Sequence, residues 1–554
     1  MSSLGLVYRI SHNLPLFIDF GATSFCNYCV IFAISDTLYF AILKGMNKRE
    51  LIRLADGHYT ALQVAALESA IDYATEMHEG QLRKSGEAYI THPIHVAATL
   101  VEWGMDADSV IAGVLHDTVE DTKATLEEVK ELFGRDVAFL VDGVTKVSQA
   151  RSGMRDLSSY LPTTKDNLTK LLIAVGQDVR VIIIKLADRL HNMQTLQFKS
   201  EDKQKKIARE TIDVFAPLAD RLNMGRVRVQ LEELSFRYLA PEEFEKTKQL
   251  MDSRLKKSQR KLSKVKHEVD VHLTDEKVAH EIDGRVKSVY SLYKKMQRVS
   301  DIDDIYDLMA LRVVVDDVAT CYLVLGELHS MYEPMVDRIK DYIAKPKPNG
   351  YQSLHTTVIT QSGQPVEFQV RTLEMHEYAE RGLAASFHYN EQKLTDAYKK
   401  GTIAELPTDL HWIQDLQNAA ALLREGKEFD ESNLRVDLFG DRIFVFSPKG
   451  DIYDLPAGAF PLDYAYRVHS DLAAKASGFL INGKMQPFSY HLRHGDIIEI
   501  LTNKHAKPRQ DWLQYMITVH ARLKLRAQLR KGGLLGQLSN AAAIIHRKTM
   551  RRKK

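Results

Sequence analysis

At 554 residues the chain has room for three or four domains of ordinary size, each able to bury its own core. A hydrophobic share of 45%, a charged share of 27% and only 15 prolines exclude a low-complexity chain, and three cysteines exclude a disulfide scaffold and point to a reducing cytoplasm. The net charge of +2 conceals a split: His520 to Lys554 carries 11 Lys/Arg and no Asp or Glu, so the remainder is acidic by about nine charges and the basic end suits a phosphate backbone.

Cys26 to Leu43 is mostly apolar, yet it carries Asn27, Ser35, Asp36 and Thr37. A central Asp costs roughly 2.5 to 3.5 kcal/mol in a bilayer, so no membrane span is expected. No basic region precedes a short apolar run with a small-residue cleavage site, which argues against a signal peptide. Soluble amphipathic patterning begins after Met46, and residues 1 to 45 are read as an unassigned, mis-annotated extension. Cys26 and Cys29 form a lone C-x-x-C without a second pair and are read as chance.

Val110 to Asp121 reads as one helix with Val110, Ile111, Val114 and Leu115 on its buried side. On such a helix His116 and Glu120 lie one turn apart, as do Asp117 and Asp121, so four polar groups line one surface. Val181 to Gln194 repeats the arrangement, with Asp188 and Asn192 following the apolar run Val181-Ile182-Ile183-Ile184. With His92 upstream, two imidazoles and two carboxylates suit Mn²⁺, Fe²⁺ or Zn²⁺. Such an ion brings the pKa of water toward neutrality and supplies a nucleophile for hydrolysis.

Glu242 to Lys266 is charge-rich and reads as a solvated helical connector. Ala310 to Val315 reads as a buried strand. Pro365 to Arg371 reads as a half-exposed one, with Val366, Phe368 and Val370 on one side and Glu367, Gln369 and Arg371 on the other. If these strands pair, Asp307 and Glu367 meet and either hold Mg²⁺ or supply a base. No G-x-x-x-x-G-K-[ST] occurs, which excludes a P-loop mechanism. Phosphate-binding charge comes instead from Arg285, Lys287, Lys294, Lys295, Arg298, Arg338, Lys340, Lys345 and Lys347, and Tyr351 offers a flat face for a base. Further on, Arg442 to Gly450 alternates as a strand into a turn, and Arg493-His494-Gly495-Asp496 is a polar turn.

These motifs resemble known families. The order His92, His116-Asp117, Asp188 resembles the HD phosphohydrolase superfamily, an all-helical metal-dependent fold. Arg83-Lys84-Ser85-Gly86, Leu115 to Thr122 and Lys185 to Met193 resemble, more narrowly, the hydrolase domain of the RelA/SpoT long stringent-response enzymes. The resemblance implies removal of the 3′-pyrophosphate of (p)ppGpp with Mn²⁺ held by His92, His116, Asp117 and Asp188. It implies that Glu120 and Asp121 act on the attacking water, and that Arg83, Lys84 and Asn192 hold the guanine nucleotide.

Gly284 to Ser291, Asp304 to Arg312, Lys345 to His355 and Val366 to Thr372 resemble the synthetase domain of the same family, a nucleotidyltransferase-like mixed sheet. That domain moves a pyrophosphate from ATP to the 3′-hydroxyl of GDP or GTP. By resemblance Asp307 binds Mg²⁺, Glu367 assists metal or hydroxyl, and Arg285, Lys287 and Arg312 grip ATP phosphates. Tyr351 stacks on guanine in a pocket lined by Lys347, Asn349 and His355. Arg338-Ile339-Lys340-Asp341 matches the basic form found in bifunctional members, and Lys340 is counted with the substrate-binding residues. Ala384-Ala385-Ser386-Phe387-His388-Tyr389 departs from the usual Ala-Ala-His-Trp.

The segment from Arg442 to Asp496 resembles a β-grasp TGS domain, with His469 at the position of the tRNA-facing histidine, which implies contact with uncharged tRNA and the ribosome. Long members continue with zinc-finger and ACT modules, and this chain ends in Arg551-Arg552-Lys553-Lys554, so a shortened regulatory end is expected. The expected division is 46–200 hydrolase, 201–270 helical connector, 271–395 synthetase, 396–436 helical linker, 437–502 TGS, and 503–554 the start of a helical domain with a basic tail. The alternatives are a hydrolase-only enzyme, which the presence of Arg285, Asp307 and Tyr351 disfavours, and a tRNA- or ribosome-binding regulator with degenerate activity.

Overall fold

The structure, a computed structural model, describes residues 46–152, 178–297, 309–347, 349–384 and 442–532. Asp307, Arg298, residues 1–45, the 396–436 linker and the end of the basic tail lie outside the described residues. No helix among the described residues is long and apolar enough to cross a membrane. The chain divides into two compact units.

The first unit opens as an all-helical body. Its helices start where the sequence supplies caps: Asn47 with Glu50, Thr60 with Gln63 and Thr125 with Glu128 form reciprocal capping boxes. Helices Thr91–Glu102 and Ala107–Leu115 are apolar on nearly every side and are buried accordingly. They approach closely at Gly113, where a Cβ would lie 2.5 Å from Leu100 Cδ1. Helix Val179–Gln194 is the third wall, with Val181, Ile182, Ile183, Ile184, Leu186 and Leu190 all sealed in the core.

A helical connector follows. Between helices Glu201–Glu210 and Ala216–Arg221 the chain forms a π-helix, Thr211–Phe215. Arg189, from the third wall, is fully buried against it, 4.1 Å over the Phe215 ring and bonded to Glu210 at 3.0 Å. The charge-rich run lies within one 35-residue helix, Pro241–Asp275, whose Leu262, Val265, Val269 and Leu273 face the core of the following sheet.

That sheet is mixed, as the sequence predicts. Its strands are β1 (His280–Val286), β2 (Met309–Val315), β3 (Glu333–Pro334), β4 (Lys340–Asp341), β5 (Leu354–Ile359) and β6 (Pro365–Thr372). The order is β1-β2-β6-β5-β3, with β4 on β5; β2 and β6 run parallel and the other pairs antiparallel. One correction concerns β6, expected to be half exposed. It lies between β2 and β5, and its polar side is buried as well: Gln369 is 5% and Arg371 1% exposed.

After helix Leu373–Arg381 the chain returns to the connector at Gly382, whose φ is +62°. Leu383 N–H donates to Leu222 O at 2.9 Å, and a Cβ on Gly382 would lie 2.2 Å from that oxygen. A side chain there meets fixed backbone in a left-handed conformation. Gly382→Ala is expected to cost about 3 kcal/mol, read as a lowered melting midpoint.

The second unit includes Lys345–Tyr351 and the C-terminal strands. Strands β7 (Arg442–Phe446) and β8 (Ile452–Pro456) form a hairpin, and β9 (Ala476–Ile481), β10 (Lys484–Gln486) and β11 (Ile498–Thr502) form a sheet in the order β10-β9-β11. Helix Pro461–Val468 packs with them around Leu462, Tyr464, Phe479 and Trp512. Asp463, 1% exposed, accepts from Phe460 N, Ile517 N, Thr518 N and Thr518 Oγ1, tying the start of its helix to the segment after the module.

Burial pushes the Asp463 carboxyl up to about 6, against the pull of those donors. A pKa raised by folding contributes stability that is full below the ordinary carboxylate range and is lost as pH rises through about 6. Asp463→Ala is expected to flatten this dependence and to cost about 3 kcal/mol, because buried donors lose their acceptor. Melting curves from about pH 4 to about pH 7 check both.

Candidate metal centre and charged sheet face

The three buried helices bring four predicted ligands to one point. His92 comes from the first turn of Thr91–Glu102, His116 and Asp117 from the turn after Ala107–Leu115, and Asp188 from the middle of Val179–Gln194. His92 Nε2 lies 3.1 Å from Asp188 Oδ1 and 3.7 Å from Asp117 Oδ2, and His116 Nε2 lies 3.0 Å from Asp117 Oδ2 and 3.9 Å from Asp188 Oδ1. His92, His116 and Asp117 form a group able to hold a metal ion.

The expected single helix from Val110 to Asp121 is broken. It stops at Leu115, turns at His116 and Asp117, and resumes as Thr118–Asp121. Asp117 has φ −99° and ψ −7°, off the helical values, and this turn aims its carboxylate at both imidazoles.

The donor set fits a divalent cation. His116 Nδ1 lies 2.8 Å from Gly113 O, a carbonyl that can only accept, so Nδ1 carries the proton and Nε2 presents a lone pair. That Nε2 is sealed from solvent with no hydrogen-bond partner and faces a carboxylate oxygen. Burial pushes the His116 imidazole down, but Asp117 overcomes it and leaves the pKa raised. Asp117 itself, although buried, is held well below the usual carboxylate range by His116. A pocket of this sign favours a positive ion.

Several neighbours escaped the sequence reading. Tyr89 donates to Asp117 Oδ2 at 2.7 Å and to Asp121 Oδ2 at 3.0 Å. Burial, then those two carboxylates, push its hydroxyl far above the ordinary value, so it stays a donor. Lys185, 4% exposed, sets its ammonium 2.6 Å from Asp188 Oδ2. For Lys185 the sequence signal is spacing, since Lys185, Asp188 and Asn192 recur at three and four residues on one helix face.

Asn192 donates to Asp188 Oδ1. His191 Nδ1 lies 2.7 Å from His92 Nδ1 and 3.1 Å from Arg83 Nη1. Lys84 is exposed beside them in sequence, and Glu120 is half-buried on the short helix that ends at Asp121.

The second cluster lies on one face of the mixed sheet. Register sets Arg312 beside Gln369, Ala310 beside Glu367, Arg285 beside Ala310 and His355 beside Gln369, so these polar side chains share a face. His355 Nδ1 lies 3.1 Å from Glu367 Oε1, Gln369 Nε2 donates to that same oxygen at 3.2 Å, and Arg285 Nη1 donates to Gln369 Oε1 at 3.1 Å.

Arg312 pairs with Glu380 at 3.2 Å, and so does the buried Arg371, which also bonds His376 Nδ1 at 2.7 Å. Burial, then Arg371 and Arg312, lower the His376 imidazole to about 4, so it accepts. Lys287 is half-buried and Lys340 exposed. Gln369, Arg371, His376 and Glu380 were not assigned roles from sequence; the last two stand one turn apart on helix Leu373–Arg381.

In the second unit, Lys347 Nζ lies 4.8 Å over the Tyr351 ring and Asn349 Oδ1 accepts from Tyr351 N at 3.3 Å, so the loop closes on itself. His469 is exposed between helices Pro461–Val468 and Ser470–Ala473. Its Nδ1 accepts from Asp471 N, which leaves the proton on Nε2.

An all-helical body with a buried His/Asp cluster, a mixed sheet with a charged face and a β-grasp module define a multidomain protein of the HD, synthetase and TGS type. Family models match in that order: HD domain over residues 70–225, the region found in RelA / SpoT proteins over 284–394, and TGS domain over 443–502. A guanosine-3′,5′-bis(diphosphate) 3′-pyrophosphohydrolase of Aquifex aeolicus is 41% identical over 484 residues, 87% of this chain and 67% of that protein. The chain belongs to the RelA/SpoT family.

A GTP pyrophosphokinase of Myxococcus xanthus is 44% identical over 466 residues, 84% of this chain and 60% of the relative. The bifunctional (p)ppGpp synthase/hydrolase SpoT of Escherichia coli is 41% identical over 472 residues, 84% of this chain and 65% of the relative. The chain thus spans about 60% of the length of the first curated relatives it matches.

Proposed function

We propose that this chain is a bifunctional stringent-response enzyme of the cytoplasm. It hydrolyses the 3′-pyrophosphate of (p)ppGpp at the helical centre and transfers a pyrophosphate from ATP to the 3′-hydroxyl of GDP or GTP at the charged sheet face. The observation that carries the reading is the His116 Nε2 lone pair, sealed in the core against a carboxylate. A divalent cation held between them would satisfy both the nitrogen lone pair and the carboxylate.

Mn²⁺ suits the mixed nitrogen and oxygen donors, with His92, His116, Asp117 and Asp188 as its ligands. When bound, the ion supplies activation of water and neutralisation of phosphate charge. Glu120 and Asp121 orient that water and take its proton, with Asp121 pinned by Tyr89. Lys185 holds the outer oxygen of Asp188 and so turns the inner one toward the cluster. Arg83, Lys84 and Asn192 hold the guanine nucleotide.

At the second site, Asp307 would hold Mg²⁺, and Glu367 assists the metal or takes the proton of the attacking hydroxyl. Arg285, Lys287 and Arg312 hold the ATP phosphates; Tyr351, Lys347 and Asn349 are guanine contacts by the family resemblance, as are Lys340 and His355 on the sheet. The exposed Nε2–H of His469 is the contact for uncharged tRNA on the ribosome, and the basic composition of the sequence from His520 to Lys554 suits a phosphate backbone.

The decisive experiment separates the halves. Purified protein is incubated with ATP, GDP and Mg²⁺, and separately with ppGpp and Mn²⁺, and the nucleotides are resolved by chromatography. Formation of ppGpp in the first tube and of GDP with pyrophosphate in the second is expected. Hydrolysis alone favours the hydrolase-only alternative, and neither product removes the proposal.

A further inference from the structure

The hydrogen bonds behind His92 have a direction that can be deduced. A guanidinium offers N–H groups and no lone pair. Arg83 Nη1 lies 3.1 Å from His191 Nδ1, so that ring nitrogen is an acceptor and His191 carries its proton on Nε2. His92 Nδ1 lies 2.7 Å from the same nitrogen. Two bare acceptors do not share that distance, so His92 Nδ1 bears the hydrogen and donates it. His92 Nε2 is then a lone pair, 3.1 Å from Asp188 Oδ1 and 3.7 Å from Asp117 Oδ2.

The direction of one bond is therefore inherited through three side chains, from guanidinium to ring to ring. Thr195 steadies the first of them: its Oγ1 accepts from Arg83 Nη2 at 3.2 Å and donates to His191 O at 3.1 Å. The His92 and His191 rings lie 4.9 Å apart at 27°. His116 reaches the same protonation pattern through a backbone carbonyl, which cannot be otherwise. His92 depends on side chains for it.

We propose that Arg83 and His191 form a positioning relay that sets the metal-binding tautomer of His92, so that Arg83 governs metal affinity before any nucleotide is present. The proposal rests on the reading of the His/Asp cluster as a divalent-metal site, and goes beyond the nucleotide contact assigned to Arg83. Outer partners of metal-bound histidines commonly act in this way. Here the outer partner is a second histidine whose own orientation is dictated by an arginine.

The test is calorimetric titration of Mn²⁺ alone into the full chain without nucleotide. Wild type and His116→Ala set the scale, and equal affinity in those two overturns the metal reading itself. Given a difference, His191→Phe, which keeps a flat ring and loses the acceptor, is expected to weaken Mn²⁺ roughly 10- to 100-fold, and Arg83→Met about tenfold. His191→Asn, whose amide oxygen can occupy the place of Nδ1, is expected to recover most of the loss.

Unchanged affinity in His191→Phe and Arg83→Met overturns the relay. Equal losses in the Phe and Asn variants overturn it too, by reducing His191 to packing. Should thermal melting show that His191→Phe does not fold, Arg83→Met, at a half-buried position, decides the question alone.

Discussion

Replacing Asp117 with alanine is expected to cut (p)ppGpp hydrolysis by about three orders of magnitude or more, roughly 4 kcal/mol of barrier. Synthesis should stay within about twofold, as separate sites with no shared partners behave independently. The size follows from position: the Asp117 carboxylate, like that of Asp188, is approached by both imidazoles, and Tyr89 fixes its orientation. Mn²⁺ binding should fall with activity in the same variant. Full hydrolysis by Asp117→Ala would remove the metal assignment, whatever the synthesis assay gives.

The converse variant is Glu367→Gln. It keeps the shape of a side chain held by His355 and Gln369, so folding is preserved while the charge and the basic oxygen are lost. Loss of a positioned base costs about 10² to 10⁴ in rate, and a fall of that order in pyrophosphate transfer is expected with hydrolysis retained. Assay of ATP and GDP conversion over a range of Mg²⁺ checks it. A normal rate would move the base elsewhere on the sheet.

How far the sequence could be read depended on the kind of signal. His92, His116, Asp117 and Asp188 were legible because ionisable residues amid otherwise apolar helices need a reason, and the structure gathers them. The turn at His116-Asp117 was not legible: neither residue is a breaker, and the departure is a rotation at Asp117 that favours its contacts in space. Lys185 and His191 were invisible for a related reason, since a basic residue on a helix reads as surface until the opposing wall is known. The alternation of β6 correctly divided Val366, Phe368 and Val370 from Glu367, Gln369 and Arg371. Its burial was misread, because alternation does not report what packs on the polar side: Gln369 and Arg371 are sealed there, and Glu380 on the following helix pairs with Arg371.

The strand β1 stands at the end of the sheet order, and its composition bears on how the protein behaves in concentrated solution. An outer strand with free backbone groups is a template for pairing with another molecule, and charges along it are a common protection. Glu281, Asp283 and Arg285 alternate along β1, with the apolar Ile282 turned into the core. Arg285 thus serves colloidal stability as well as any ligand. A programme that neutralises this strand to probe nucleotide contacts should expect precipitation before it sees weakened binding, and single substitutions that leave Glu281 and Asp283 in place are the safer route.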